Sequence, residues 1–215
     1  MISDPERRII LAYAPTAAAG RGLAALLALD DKLAETVRTT SEPMLGQIRL
    51  QWWHDALIAL DTGPAPAEPL LQGIVRDVMR MGVGGSMVAG IAQAWQALLQ
   101  ERLDELALRT YGARGRRIFE LAGVLAGASA GDPLTLAGEG WALADLANGL
   151  SDPGEAAAAR TIAAESLAAA TSVRGSRNGR AMGAMAHLAQ LDLAGVPHGS
   201  PRRAGRALWH RMTGK

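Results

Sequence analysis

Acidic residues at helical spacing are the groups in this sequence best suited to chemistry. Asp31 and Glu35 are four residues apart, and Trp141, Asp145 and Asn148 follow one another at i, i+4 and i+7. Residues four apart lie on one face of a helix. Acids on two facing helices can therefore hold Mg²⁺ against an anionic substrate. The candidate catalytic residues are Asp31, Glu35 and Asp145.

This acidic set is incomplete. The residue four positions beyond Asp145 is Gly149, and Asp152 is followed by Pro153, where a helix is expected to end. Only Asp31 and Glu35 form a pair, which is too few carboxylates for a cluster of Mg²⁺ ions. We therefore expect no metal site and no cofactor, with Mg²⁺ required only if catalysis survives. Whether the protein is an enzyme stays open.

Arg49 is the second group of interest, because it lies within an apolar arc of its predicted helix. A projection of residues 43–60 places it between Leu45, Trp53 and Leu60. A buried guanidinium needs a carboxylate, a set of carbonyls or a bound anion. We expect Arg49 to be buried, either in a structural ion pair or facing a cavity that receives an anion.

Other chemistries have weaker support. The chain has no cysteine, which excludes disulfides and thiolate sites. Its four histidines show no HxxxH or HExxH spacing, and we expect each at the surface or in a loop. The Gly82–Gly85 segment lacks the Lys-Ser/Thr of a phosphate-binding loop.

The bulk composition limits the class of partner. Twenty-two basic and 21 acidic residues give a net charge of +1, which argues against a nucleic-acid-binding protein. No apolar stretch is long enough for a membrane span or a secretory core. We expect a cytoplasmic protein, with any membrane contact peripheral and made through the basic C-terminal end, residues 202–215.

Helical periodicity extends over most of the chain, and strand patterns are nearly absent. We predict an all-α fold in a single domain, 1–215. Pro15 and Thr16 open the first helix, and Ser41 is the expected N-cap of the second. Helices are predicted at about 17–40, 43–60, 69–81, 86–106, 110–129 and 135–150, then from Pro153 to before Arg174, and finally up to Leu193.

The segment from Ser41 to Leu57, SEPMLGQIRLQWWHDAL, resembles the signature block of the squalene/phytoene synthase family. It is most similar to the branch that contains the mitochondrial complex I assembly factor and its alphaproteobacterial relatives. Weaker similarity extends over 21–29, 106–127 and 140–148. The resemblance thus covers most of the chain.

The resemblance implies a helical bundle of the type I isoprenoid synthase kind. Its central cavity would be lined by the helices at 17–40, 43–60, 110–129 and 135–150, and Asp145 would face Arg49 across it. The candidate ligand-binding residues are Arg49, Trp53, Trp141, Asp145 and Asn148.

Two functions follow from the resemblance. The first is an assembly or accessory role without prenyltransferase activity, in which the protein binds a protein partner or an isoprenoid or lipid-like ligand. It would act in the cytoplasm, peripheral to the inner membrane. The alternative is a divergent Mg²⁺-dependent prenyltransferase that condenses isoprenoid diphosphates. The incomplete acidic set favours the first.

Overall fold

Ten α-helices make up most of the computed structural model, which describes residues 5–215. Residues 1–4 of the predicted domain lie outside the described part. No strand occurs within 5–215, so the prediction of an all-α fold is confirmed. The helices are α1 (Pro5–Leu11), α2 (Ala17–Arg38), α3 (Pro43–Ala59), α4 (Pro69–Asp77), α5 (Gly85–Trp95), α6 (Glu105–Ala126), α7 (Leu134–Gly149), α8 (Pro153–Ser172), α9 (Arg180–Leu193) and α10 (Pro201–Thr213).

Local capping explains where several helices begin. The Thr16 side chain accepts a hydrogen bond from the Ala19 amide (3.1 Å), as expected for the start of α2. Ser41 is not the N-cap of α3, because Glu42 takes that position and Pro43 begins the helix. Asp104 caps α6 through the Ala107 amide (2.8 Å), so this helix begins five residues earlier than predicted.

Two further boundaries differ from the prediction. The predicted helix 86–106 ends as a short 3-10 turn, 96–99, and the chain is extended at Gln100. Helix α1, which the sequence analysis did not predict, packs against α2 and α9. Its single buried apolar residue, Ile10, leaves too little periodic signal in seven residues.

Helix α6 lies at the centre of the bundle, in contact with α2, α5 and α7. A glycine pair sets its distance from α7: a Cβ on Gly115 would lie 1.9 Å from the Gly138 carbonyl oxygen, and one on Gly138 would lie 2.2 Å from that of Gly115. Only two glycines allow the backbones to approach this closely. The same contact brings the residues that follow Gly138 on α7 towards Arg114.

None of the helices within residues 5–215 combines the length and the apolar character that crossing a membrane requires.

Candidate binding cleft

The guanidinium of Arg114, on α6, lies in the protein interior between α2 and α7. Only 3% of this residue is exposed. Its Nε and Nη2 atoms donate to the two oxygens of Asp30, each at 2.7 Å. Its Nη1 and Nη2 atoms also lie 3.2 Å from Oδ2 of Asp145. One cation therefore bridges carboxylates from two facing helices.

Three aromatic rings surround this ion cluster. The guanidinium carbon lies 4.7 Å from the ring centre of Trp95, 5.1 Å from that of Tyr111 and 4.8 Å from that of Trp141. The Trp95 indole donates to Asp30 (2.9 Å), and Arg114 donates to the Tyr111 hydroxyl. Such cation–π contacts are strongest where water is excluded. The buried charges thus have both ionic and aromatic partners.

The electrostatics keep Arg114 and Tyr111 each in one protonation state. Burial alone lowers the pKa of Arg114, but the neighbouring charge of Asp30 and the contributions of Tyr111 and Asp145 raise it well above its usual value. Burial raises the pKa of Tyr111 as well. At neutral pH Arg114 stays charged and Tyr111 stays protonated. Neither group is suited to proton transfer.

A cleft of about 380 Å³ opens beside the cluster, between α1, α2, α7 and α9. Its apolar lining is Ile10, Leu27, Trp141, Met185 and Leu188, and its polar lining is Glu6, Arg7, Asp145, Asn148, Asp192, His198 and Arg203. The side chain of Asp145 is 60% exposed, so its carboxylate contacts Arg114 and also faces the cleft. An apolar wall with a polar rim suits a ligand that has an apolar body and a polar head.

Three of the predicted ligand-binding residues share this cleft: Trp141, Asp145 and Asn148. Their spacing on one face of α7 is what brings them together. The cleft does not have the predicted outline, because no residue of α3 or α6 lines it. Where α2, α6 and α7 meet, Arg114 and its aromatic partners occupy a region in which the central cavity was predicted.

The other two candidate catalytic acids, Asp31 and Glu35, lie on α2, and each has a basic partner. Asp31 accepts hydrogen bonds from Arg7, and Glu35 accepts one from Lys32 (2.7 Å). Both acids are exposed, and neither lines the cleft. Of the predicted catalytic set, only Asp145 lines the cleft.

The prediction that Arg49 is buried and faces Asp145 is wrong. Arg49 is exposed, and its Nη1 donates to the Thr40 hydroxyl (3.0 Å), whereas Asp145 pairs with Arg114. Helix α3 packs chiefly against α5, so much of its apolar arc stays uncovered. Trp53 is buried on the inner side of α3, and with Arg49 and Glu35 it lines a shallow groove between α2 and α3.

Sequence reasoning missed Asp30 and Arg114, although a signal was present. Asp30 occupies a core position between Leu26 and Leu33, and Arg114 occupies one between Tyr111 and Ile118. Applying the helical projection to every helix would have marked both as buried charges. The acid and the base lie on different helices, so their pairing becomes visible only in three dimensions.

The expectation that all four histidines lie at the surface or in loops is wrong for two of them. His187 on α9 and His210 on α10 are buried, with ring centres 4.7 Å apart. Arg206 donates to the His187 ring (2.9 Å). His210 packs against Gly183, where a Cβ would lie 2.2 Å from its ring.

No family model, curated protein sequence or solved structure matches this chain.

Proposed function

We propose that this chain is a squalene/phytoene synthase-like protein of the type I isoprenoid synthase kind that has lost prenyltransferase activity. It binds a lipid-like ligand in its cleft, in an accessory or assembly role. The observation that supports this is the position of the Arg114 guanidinium between Asp30 and Asp145. In the catalytic members that the chain resembles, acids on two facing helices hold Mg²⁺.

A metal ion between these two carboxylates would have to compete with a buried guanidinium. Displacing Arg114 would leave its charge without a partner in a dry interior, which costs about 3–5 kcal/mol. The remaining candidate acids do not compensate, because Asp31 is paired with Arg7 and Glu35 with Lys32. The charge balance of the site therefore disfavours Mg²⁺-dependent ionisation of a diphosphate.

The composition of the cleft supports a ligand of mixed character. Trp141 and Leu188 offer an apolar wall, and Asp145 and Asn148 offer hydrogen-bond acceptors at the rim. A prenyl alcohol such as farnesol combines an apolar chain with a hydroxyl that can donate to Asp145. It lacks the diphosphate that would call for a metal.

Calorimetric titration with farnesol tests the ligand. We expect saturable binding to the wild-type protein, weakened at least about tenfold in Asn148→Trp, which fills the rim of the cleft. Gln93→Trp is the matched control, because it adds the same ring at an exposed position of α5, away from the cleft. Absence of saturable binding to the wild type would contradict the lipid-like ligand and favour a protein partner.

Thermal melts and turnover assays test the loss of catalysis. Tight binding of Mg²⁺ with inorganic diphosphate would stabilise the fold by about 2.7 kcal/mol at a hundredfold excess over Kd. We expect no such rise in Tm, and no diphosphate released from farnesyl diphosphate above the blank. A rise in Tm or a condensed product that Asp145→Ala abolishes would establish the alternative, a divergent prenyltransferase.

A further inference from the structure

Basic residues are concentrated in the last part of the chain. Residues 174–215 contain eight basic residues and one acid, Asp192. The 173 residues before them contain the other 14 basic and 20 acidic residues. The near-neutral total thus conceals a segment of net charge +7 next to a remainder of −6. A separation of this size produces a strong field at one region of the surface.

Helix α10 presents an apolar strip within this basic segment. Its inner face carries Arg203, Ala207 and His210, which are buried. On its outer face Leu208 is 51% exposed, Trp209 55% and Met212 70%. Leu208 and Met212 are one turn apart, and Trp209 lies beside them. Three large apolar side chains therefore form one exposed strip on a short helix.

Cationic side chains border this strip. Arg202 lies two turns before Trp209 on the same face, and Arg211 is on the other side of Leu208, over the ring of Tyr13 (4.8 Å). The loop after α8 lies against the end of α10, where the Arg174 Nε donates to the Thr213 carbonyl (2.9 Å). That loop adds the exposed Arg177 to the same region.

Three acids in contact with α10 or with the 174–179 loop have partners there. Glu6 and Asp192 both pair with the buried Arg203, at 2.8 Å and 2.5 Å. Asp132 accepts the Ser176 amide and hydroxyl (each 2.6 Å). Helix α10 itself contains no acidic residue. The outer face of α10 is therefore positive and apolar at once.

The opposite end of α8 carries the opposite charge. Five acids and one base, Arg102, line a surface depression where α6 and α8 begin; the acids are Glu101, Asp104, Glu105, Asp152 and Glu155. Helix α8 runs from this depression to Ser172, a length of roughly 30 Å. An anionic surface would attract the α10 end of the molecule and repel the other, which fixes one orientation.

We propose that the outer face of α10, together with the 174–179 loop, docks the protein on an anionic lipid bilayer. Leu208, Trp209 and Met212 insert at the headgroup boundary, and the surrounding cations contact lipid phosphates. Trp suits this depth because its ring is amphipathic. A helix with an apolar strip and flanking cations lies in the plane of the interface. A nucleic acid would use the charge but leave Leu208 and Met212 without a role.

Vesicle co-sedimentation tests the proposal with the full chain. We expect binding to equimolar phosphatidylcholine–phosphatidylglycerol vesicles, weakened by salt, and little binding to pure phosphatidylcholine. Each surface cation contributes about 1 kcal/mol. The triple variant Arg177→Gln/Arg202→Gln/Arg211→Gln should therefore bind about a hundredfold more weakly. The control Arg80→Gln/Arg102→Gln/Arg160→Gln removes the same charge from other exposed positions and should bind within about threefold of wild type.

The apolar strip has its own variant pair. Trp209→Ala/Met212→Ser should lower binding to the anionic vesicles at least about tenfold, because the inserted apolar area is lost. Ile48→Ser/Trp52→Ala removes exposed apolar residues from α3 and should leave binding unchanged. Equal binding to neutral vesicles, equal loss in both triple variants, or binding to a DNA duplex but not to vesicles would each overturn the proposal. These assays do not involve the cleft, so they stand apart from the farnesol titration.

Discussion

Arg114 and Arg49 have similar settings in the sequence and opposite settings in the structure. Each lies among apolar residues on its own helix, yet Arg114 is buried between two carboxylates and Arg49 is exposed beside Thr40. Helix α6 is enclosed by α2, α5 and α7, whereas α3 packs chiefly against α5. Periodicity identifies the apolar side of a helix. It does not tell whether another helix covers that side.

The largest expected effect is the loss of the Arg114 charge. Arg114→Met keeps a long side chain but leaves Asp30, which is 2% exposed, without its ionic partner. We expect the free energy of unfolding to fall by about 3–5 kcal/mol. Urea denaturation at neutral pH measures it. A loss below about 1 kcal/mol would show that Asp30 finds another partner and would remove the contrast with Arg49.

A double variant separates a lost ion pair from general damage to the core. Arg114→Met/Asp30→Leu removes both buried charges and should recover most of the stability, since apolar replacements of buried pairs are often neutral. Recovery should fall short by about 1–3 kcal/mol, because the Trp95 indole loses its acceptor. If the double variant is as unstable as the single one, packing and not charge explains the loss.

Two histidines, His187 and His210, are buried like Arg114, but burial has a different effect on their charge. Burial, followed by the charge of Arg206, lowers the pKa of His187 to about 4. Burial, followed by the proximity of His187 and Arg180, lowers the pKa of His210 to about 4. A backbone hydrogen bond with Lys215 acts on His210 in the opposite direction and does not offset these effects. Arg114 keeps its charge because acids face it, whereas these imidazoles stay neutral because burial, and then their charged neighbours, disfavour the protonated form.

The lowered pKa values of His187 and His210 predict the second-largest effect, a loss of stability in mild acid. An unfolded histidine has a pKa of about 6.5, so the unfolded chain binds more protons than the folded one between about pH 6.5 and about pH 4. The stabilising contribution is complete above about pH 6.5 and declines as the pH falls through this window. We expect a loss on the order of a few kcal/mol for the pair, measured by urea unfolding across the window.

The non-titrating variant His187→Gln/His210→Gln is the control for acid. It should be less stable at neutral pH, because buried amides replace the packed rings. Its stability should nevertheless change less between about pH 6.5 and about pH 5 than that of the wild type, since carboxylates titrate mainly below this range. An unchanged slope would assign the acid sensitivity to other groups.

Local signals in the sequence were sufficient for most of the helices. Proline and the Thr16 cap predicted where α2 and α3 begin, and i, i+4, i+7 spacing placed Trp141, Asp145 and Asn148 on one face. What failed depends on contacts distant in sequence. The partner of Asp145 lies 31 residues away on α6, and that of Asp30 lies 84 residues away from it. His187 and His210 are buried by each other's helices.

The smallest expected effect is the loss of the Arg49 charge. Arg49→Met makes the same chemical change as Arg114→Met, but at an exposed position whose one hydrogen bond in residues 5–215 goes to the Thr40 hydroxyl. Water replaces that bond when it is lost, and no carboxylate is left buried. Surface substitutions of this kind stay within about 0.5 kcal/mol.

Both arginine variants should be measured side by side in the same urea titration. Because the substituted side chains are identical, the difference between the two losses isolates the effect of covering the helix. We expect Arg49→Met to unfold at the wild-type midpoint with an unchanged m-value. A loss above about 1 kcal/mol would mean that Arg49 has a carboxylate partner in solution. In that case another part of the molecule or a second chain would cover the apolar arc of α3. The helical projection would then have predicted the burial of Arg49 correctly.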